Sequence, residues 1–305
     1  MNCPQLLDIP NNGVDRVNLL KKDINKVEET CLEFGVSLEL IEAVISKLGF
    51  QQWPKNSEDN LRMLYQSWCR NVPQDNIHKR IYFGNQMSGP LPIGNPSELF
   101  SNFLEHSTGG TCWGHSIGLY SLLKILGYDV RAAAGSMVGL TPPENGPSHG
   151  TIIVTIEDQQ YLVDGILMIE DIVPLSQERP SIGGPLPFTI QVYPNFNDLW
   201  DIVFRTGHSE KEITCRLEID NVEFSYLQER WENTRNYSPF NSSLFIRKNI
   251  GKKAVTLGRN KLFYLNEDGN ITVEEIVTNQ EKKRILINIF NLSKEIVNAI
   301  PLDDL

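Results

Sequence analysis

The stretch Thr108-Gly109-Gly110-Thr111-Cys112-Trp113 sets a glycine pair and a cysteine ahead of a long apolar run, Ile117 to Leu126. A glycine turn before such a run reads as the entry to a buried helix, with Cys112 at its start. A side chain there lies beside backbone N–H groups that lack helical partners and at the positive end of the helix dipole, which favours a thiolate. On its own, a free cysteine among apolar residues is more often a small buried hydrophobe. Its meaning depends on what else the chain supplies.

Two later residues supply it. His149 stands in Gly146-Pro147-Ser148-His149-Gly150, directly before the run Thr151 to Ile156, and Asp164 ends a second run, Tyr161-Leu162-Val163. The polar link Glu157-Asp158-Gln159-Gln160 suits a turn, so the segment reads as a β-hairpin whose outer ends carry His149 and Asp164. A carboxylate facing the Nδ1–H of His149 would fix its tautomer and leave Nε2 to take a thiol proton. The expected catalytic set is Cys112, His149 and Asp164, a cysteine version of triad logic. A zinc reading, with Cys112-x-x-His115 and His149 as ligands, fits poorly because structural zinc takes four ligands in paired motifs and His115 falls within the apolar helix pattern. No metal is expected.

At this point the chain resembles the arylamine N-acetyltransferases, whose motif runs Arg-Gly-Gly-x-Cys, then a histidine at a strand start, then Tyr-Leu-Val-Asp. The matching positions are Gly109, Gly110, Cys112, His149 and Tyr161-Leu162-Val163-Asp164; His149 follows Cys112 by 37 residues and Asp164 follows His149 by 15. Val72-Pro73-Gln74-Asp75-Asn76 is similar to the family's Pro-Phe-Glu-Asn segment, and Thr256 to Leu262 to its Leu-x-Gly-Arg-x-Leu segment. The resemblance covers residues 40 to 265 in scattered blocks. It implies an α+β fold: an N-terminal helical bundle, an antiparallel β-barrel and a C-terminal α/β lid, around a cysteine-protease-like catalytic core. It also implies an N-acyltransferase with no bound cofactor. An acyl group from acyl-CoA, or from the phosphopantetheine of an acyl carrier protein, would pass through Cys112 to a small-molecule amine.

The departures are as informative. Thr108 stands at the family's arginine and Gly114 at its usual glutamate, as expected if those two charges interact in the family, since a lone buried charge is costly. Gln74 replaces a phenylalanine that lines the family's substrate pocket, and Gly165-Ile166-Leu167-Met168 replaces Val-Gly-Phe-Gly. Gln74, Trp113 and Gly165 are the expected pocket residues, with an acceptor more polar or larger than a plain arylamine. Two alternatives use the same three residues: an amide synthase that releases a carrier-bound polyketide or peptide chain, and a transglutaminase-like cysteine hydrolase. A non-catalytic binding protein is the third.

Composition narrows the partners. The 28 basic residues against 38 acidic ones give a net charge of −10, which disfavours nucleic acid or an anionic membrane as a partner. Five dispersed cysteines without a C-x-x-C pair fit a reducing compartment. The terminus Met1-Asn2-Cys3-Pro4-Gln5 has no basic-then-apolar signal, and no run approaches the roughly 20 apolar residues of a membrane span. A cytoplasmic protein is expected.

Four segments follow from the patterning. Residues 1–39 form an N-terminal helical extension, with helices from residue 15 to 49 on the spacing Leu32, Val36, Leu40, Val44, Leu48. Residues 40–127 form a helical domain carrying Cys112, with a break at Trp53 to Ser57 and a helix running on to Asn71. Residues 128–246, short apolar runs between Pro and Gly clusters, form a β-barrel carrying His149 and Asp164. Residues 247–305 form the lid: a hairpin around Asn266 to Gly269, then one helix from Gln280 to Ile300. Arg247, Lys248, Lys252 and Lys253 open a stretch free of acidic residues up to Lys261. Such a run is either a solvated face or a landing site for donor phosphates.

Overall fold

Serine, asparagine and threonine start most of the helices. In the computed structural model, which describes residues 21–303 except 141 and 197, the first elements are α1 (Lys21–Glu33), α2 (Leu38–Lys47) and α3 (Glu58–Asn71). Strand β1 (Gln74–Asp75) and helices α4 (Ile77–Gly84), α5 (Pro96–His106) and α6 (Cys112–Ile125) follow. Ser37, Ser57 and Asn95 cap α2, α3 and α5 by accepting from the N–H of Leu40, Asn60 and Glu98, each satisfying an otherwise orphaned donor. The helix α6 is apolar all round and buried all round, which places it at the centre of the molecule. Glycine makes that possible: a Cβ at Gly118 would come within 2.9 Å of Leu99 on α5.

Eight strands come next: β2 (Asp129–Met137), β3 (His149–Ile156), β4 (Gln159–Val163), β5 (Val173–Pro174), β6 (Ser181–Gly183), β7 (Ile190–Pro194), β8 (Trp200–Arg205) and β9 (Glu212–Val222). They form one antiparallel sheet in the order β5-β4-β3-β2-β9-β8-β7-β6. Its edge strands β5 and β6 approach each other, so the sheet is a nearly closed barrel. After α7 (Phe224–Tyr237), the chain forms β10 (Phe245–Ile250), β11 (Lys253–Gly258), β12 (Lys261–Leu265), β13 (Ile271–Glu275), α8 (Asn279–Asn288) and α9 (Lys294–Ala299). The second sheet, β1-β10-β11-β12-β13, recruits β1 from the helical half, with Gln74 opposite Arg247. Its apolar face packs on α8 and α9, including Leu286, Phe290 and Val297.

The α+β class, the barrel and the hairpin around Asn266 follow the sequence reading. Other readings need correction. Gly35, in the left-handed region, separates α1 from α2, and Leu32 is 77% exposed, so the four-residue spacing across 32–48 does not trace one buried stripe. A division at residue 39 falls inside α2, and the α1 side packs on the core, with Phe34 against Tyr120 of α6 and Phe224 of α7. A division at 246 likewise falls inside β10. Residues 224–237, read as part of the barrel, form the helix α7. The expected helix from Gln280 to Ile300 is two, because Asn291 adopts a left-handed conformation and Ser293 caps a new helix at Ile296 N. Residues 1–20, including Met1–Gln5, Cys3 and the helical reading from residue 15, lie outside the described residues. Among the described residues no helix is long and apolar enough to cross a membrane.

Candidate active site

Helix α6 brings the start of its first turn against the start of β3. Gly150 permits the approach, since a Cβ there would sit 2.7 Å from the Trp113 ring. Ser116 then ties helix to strand by donating to the Gly150 carbonyl at 2.7 Å. The β3–β4 hairpin pairs Ile156 with Gln159 and Ile152 with Val163, so His149 and the residue after Val163 lie at the same outer end. His149 Nε2 is 2.6 Å from Asp164 Oδ2. Cys112 Sγ lies 3.4 Å from the Ser148 carbonyl, to which the thiol donates. Cys112, His149 and Asp164 therefore lie together where α6, β3 and the end of β4 meet.

The imidazole is turned the other way round from the sequence expectation. Nε2, not Nδ1, meets the carboxylate, while Nδ1 has no hydrogen-bond partner and is the nitrogen left for Cys112. The reason is reach: the thiol sits against the backbone at Ser148, close to the near ring nitrogen, and the far nitrogen spans to the end of β4. Asp164 is held by its other oxygen, which accepts from the N–H groups of Ile166 at 2.9 Å and Leu167 at 3.1 Å. Its backbone carbonyl accepts from the Tyr65 hydroxyl. Burial alone would depress the His149 pKa, but the Asp164 charge and hydrogen bond hold it well above the usual histidine value. The same pairing keeps Asp164 below the ordinary carboxylate range despite its burial.

Beneath Cys112 lies a second buried layer. His115 accepts from Trp68 Nε1 at Nδ1 (3.1 Å) and donates from Nε2 to the Pro73 carbonyl (2.9 Å); burial pushes its pKa down to about 4. Both ring nitrogens are committed to protein partners, so His115 has no lone pair to offer a cation. Asp75 accepts from the N–H of Gly109 (2.6 Å) and of Ile77 (3.0 Å), tying the glycine turn to the start of α4; burial raises its pKa to about 7. The Thr108 hydroxyl pairs with His78 Nε2 at 2.9 Å. The carboxylate beside this turn is therefore Asp75. Position 114 faces elsewhere: a Cβ at Gly114 would meet Ile93 and Trp231.

The expected pocket and donor residues separate into two groups. Trp113 is fully buried against Gly150 and Tyr226, and Gly165 lets its turn close onto His115, where a Cβ would come within 2.8 Å of the ring. Both are buried in close helix-to-strand packing beneath the site. Gln74 lies on β1, bridged to Gly110 two residues before Cys112, and is nearly buried. Arg247 is buried and aims at the carbonyls of Ile166 and Leu167, 3.5 and 3.3 Å away, so it clamps the loop after Asp164 and is closed to a donor phosphate. Lys248 lies on the opposite face of β10, as strand alternation requires. Lys252 pairs with Glu267, and Lys253 is exposed at the start of β11.

The sequence reading missed α7. Its Arg230 donates to the carbonyls of Asn145 (2.6 Å) and Pro147 (2.5 Å) and to the Tyr237 hydroxyl (2.8 Å), and it lies over the Trp113 ring. It therefore fixes the loop that delivers Ser148 and His149. Trp231 fills the space beside Gly114 and forms a face for the buried Lys79 ammonium, 4.7 Å from its ring centroid. The only advance signal is the residue types, four aromatics and two arginines in a polar stretch. Arg230→Met is expected to lower turnover about 10²-fold with an unchanged unfolding midpoint, since a misplacement of about 1 Å costs that much. Steady-state kinetics with a parallel thermal melt checks it.

Cysteine accessibility separates Cys112 from its peers. Burial pushes Cys31 up to about 11 and Cys69 and Cys215 up to about 12, and all three are shielded, whereas Cys112 is half-buried. A short iodoacetamide pulse at pH 7.5 with peptide mapping is expected to label Cys112 well ahead of these three. Faster labelling of Cys69 or Cys215 would overturn the assignment.

An N-acetyltransferase family model matches residues 58–178, which contain Cys112, His149 and Asp164. No curated protein sequence matches the chain. Among solved structures, the arylamine N-acetyltransferase from Mycobacterium abscessus superposes with a TM-score of 0.70 at 16% identity, covering 85% of this chain and 93% of that one. The arylamine N-acetyltransferase from Salmonella typhimurium gives 0.67 at 16% identity, covering 86% and 97%. One from Bacillus cereus, described as having a Cys-His-Glu catalytic triad, gives 0.65 at 16% identity, covering 83% and 98%. These likenesses establish the fold, and with the family match they support an acetyltransferase. The chain is thus similar in fold to the arylamine N-acetyltransferases at low sequence identity, and residues 58–178 match an N-acetyltransferase family model.

Proposed function

We propose that the protein is an acyltransferase that moves an acyl group from a thioester donor, acyl-CoA or an acyl-phosphopantetheine, through Cys112 to a small-molecule amine. The observation that carries this reading is the buried His149–Asp164 pair, with Nδ1 unpartnered beside the one half-exposed cysteine among the described residues. His149 Nδ1 takes the Cys112 proton, the sulfur attacks the thioester carbonyl, and the donor C–S bond breaks as the proton passes to the leaving thiolate. The amine then attacks the acyl-cysteine; its proton passes through His149 to the Cys112 sulfur as that C–S bond breaks. Thr111 makes no side-chain cap on α6, which leaves first-turn N–H groups for the oxyanion.

Intact-mass measurement after incubation with acetyl-CoA, longer acyl-CoAs and an acylated carrier protein tests this directly. A single acyl adduct that maps to Cys112 and disappears on adding an amine is the expected result. An unmodified mass with every donor, together with unreactive Cys112, would instead favour a binding role.

A further inference from the structure

The strand β10 ends beside a cavity of about 480 Å³. Arg70 and Asn71 from the end of α3, Lys248, Asn249 and Lys252 from the β10–β11 hairpin, and Asn291 from the link between α8 and α9 line it. Two of the cations have partners: Arg70 is 2.7 Å from Glu170, and Lys252 is 2.5 Å from Glu267. Lys248 has none. It is only 7% exposed, and among the described residues its ammonium makes no hydrogen bond or ion pair.

The Lys248 neighbourhood is strained electrostatically. The Lys47 ammonium is held by the carbonyls of Phe103 and Leu104 and the Ser107 hydroxyl, with no carboxylate. Burial, and then the charge of Lys248, push the Lys47 pKa down to about 8. Lys47 is itself exposed to solvent, so the uncompensated buried charge is that of Lys248, and a bound anion would offset its cost. Asn249, next along the strand, turns to the Arg247 face, where its amide N–H₂ donates to the Met168 carbonyl and Glu170.

We infer that this cavity binds a phosphate-type anion, with Lys248 as its central ligand and Arg70 and Lys252 at its rim. A phosphate monoester supplies what is missing: a compact multiply charged anion whose acceptor oxygens can take the Lys248 ammonium and reach the rim cations. The volume suits an ester larger than a halide, and in a chain of net charge −10 such a cation cluster is the local exception. The site does not depend on the acyl-transfer reading; only the assignment of its phosphate to a coenzyme does.

The test is thermal unfolding of the full chain against inorganic phosphate, at ionic strength balanced with sodium chloride. A saturable rise in midpoint is expected for the wild type. Lys248→Met, which keeps the packing stem and removes the charge, should hold or raise the midpoint without phosphate and abolish the response. Lys252→Ala, an exposed change that folding tolerates, should weaken the response severalfold. Titration with coenzyme A and with its analogue lacking the 3′-phosphate names the source. Tighter binding of coenzyme A by about tenfold, lost in Lys248→Met, assigns the coenzyme phosphomonoester; equal binding assigns free phosphate. Cys112→Ala should retain every one of these responses, so a failed acyl-transfer reading leaves the site standing. A wild type without a saturable phosphate response, or a Lys248→Met protein that responds as the wild type does, would overturn the inference.

Discussion

Asp164→Asn is expected to lower turnover about 10⁴-fold while the protein stays folded. The argument rests on which oxygen does what. Oδ1 accepts from two backbone N–H groups, so an asparagine must keep its carbonyl there and present its N–H₂ to His149 Nε2. Nε2 must then accept, the ring proton moves to Nδ1, and the nitrogen that should receive the thiol proton is already occupied. Circular dichroism and the unfolding midpoint report the fold, and acyl-enzyme formation by mass reports the chemistry. Near-normal acylation in a folded Asp164→Asn protein would remove Asp164 from the mechanism.

Gly109→Ala is expected to be the most damaging small change in the turn. A Cβ there would overlap the Pro73 carbonyl oxygen, the acceptor for His115, and crowd His115 Nε2 itself. Overpacking of this kind costs about 1–3 kcal/mol or more, and the displaced turn carries Cys112 with it. Gly110 is the internal control, because a Cβ there would meet the Gly114 backbone at an ordinary 3.6 Å. Urea unfolding and Cys112 alkylation should therefore separate the two: Gly109→Ala loses stability and labelling, and Gly110→Ala keeps both. Equal behaviour of the two variants would refute the packing argument.

What could be read in the chain was local. The helix start at Cys112 and the hairpin joining His149 to Asp164 are written in neighbouring residues: a glycine turn before an apolar run, and two β-rich runs about a short polar link. What could not be read depends on partners distant in sequence. The ring orientation of His149 is set by where α6 meets Ser148, a contact 36 residues apart. Helix α7 was hidden because its buried positions, Leu227, Trp231 and Thr234, fall at helical spacing but end on a polar threonine in an otherwise polar stretch. Arg247 and Lys248 are adjacent in a basic run, yet strand alternation sends one inward to the Asp164 loop and the other to a cavity. A charge count along the sequence cannot separate them.

Asp75 gives the scaffold a preference of its own. Its carboxyl, held at about 7 by burial, retains a proton in the folded chain at pH values where an unfolded aspartic acid has released it. Folding therefore takes up a proton at this turn between about pH 4 and 7, and the associated stability is lost as pH rises through that window. Alkali therefore loosens the turn beneath Cys112, so the segment that aims the nucleophile is most secure in acid.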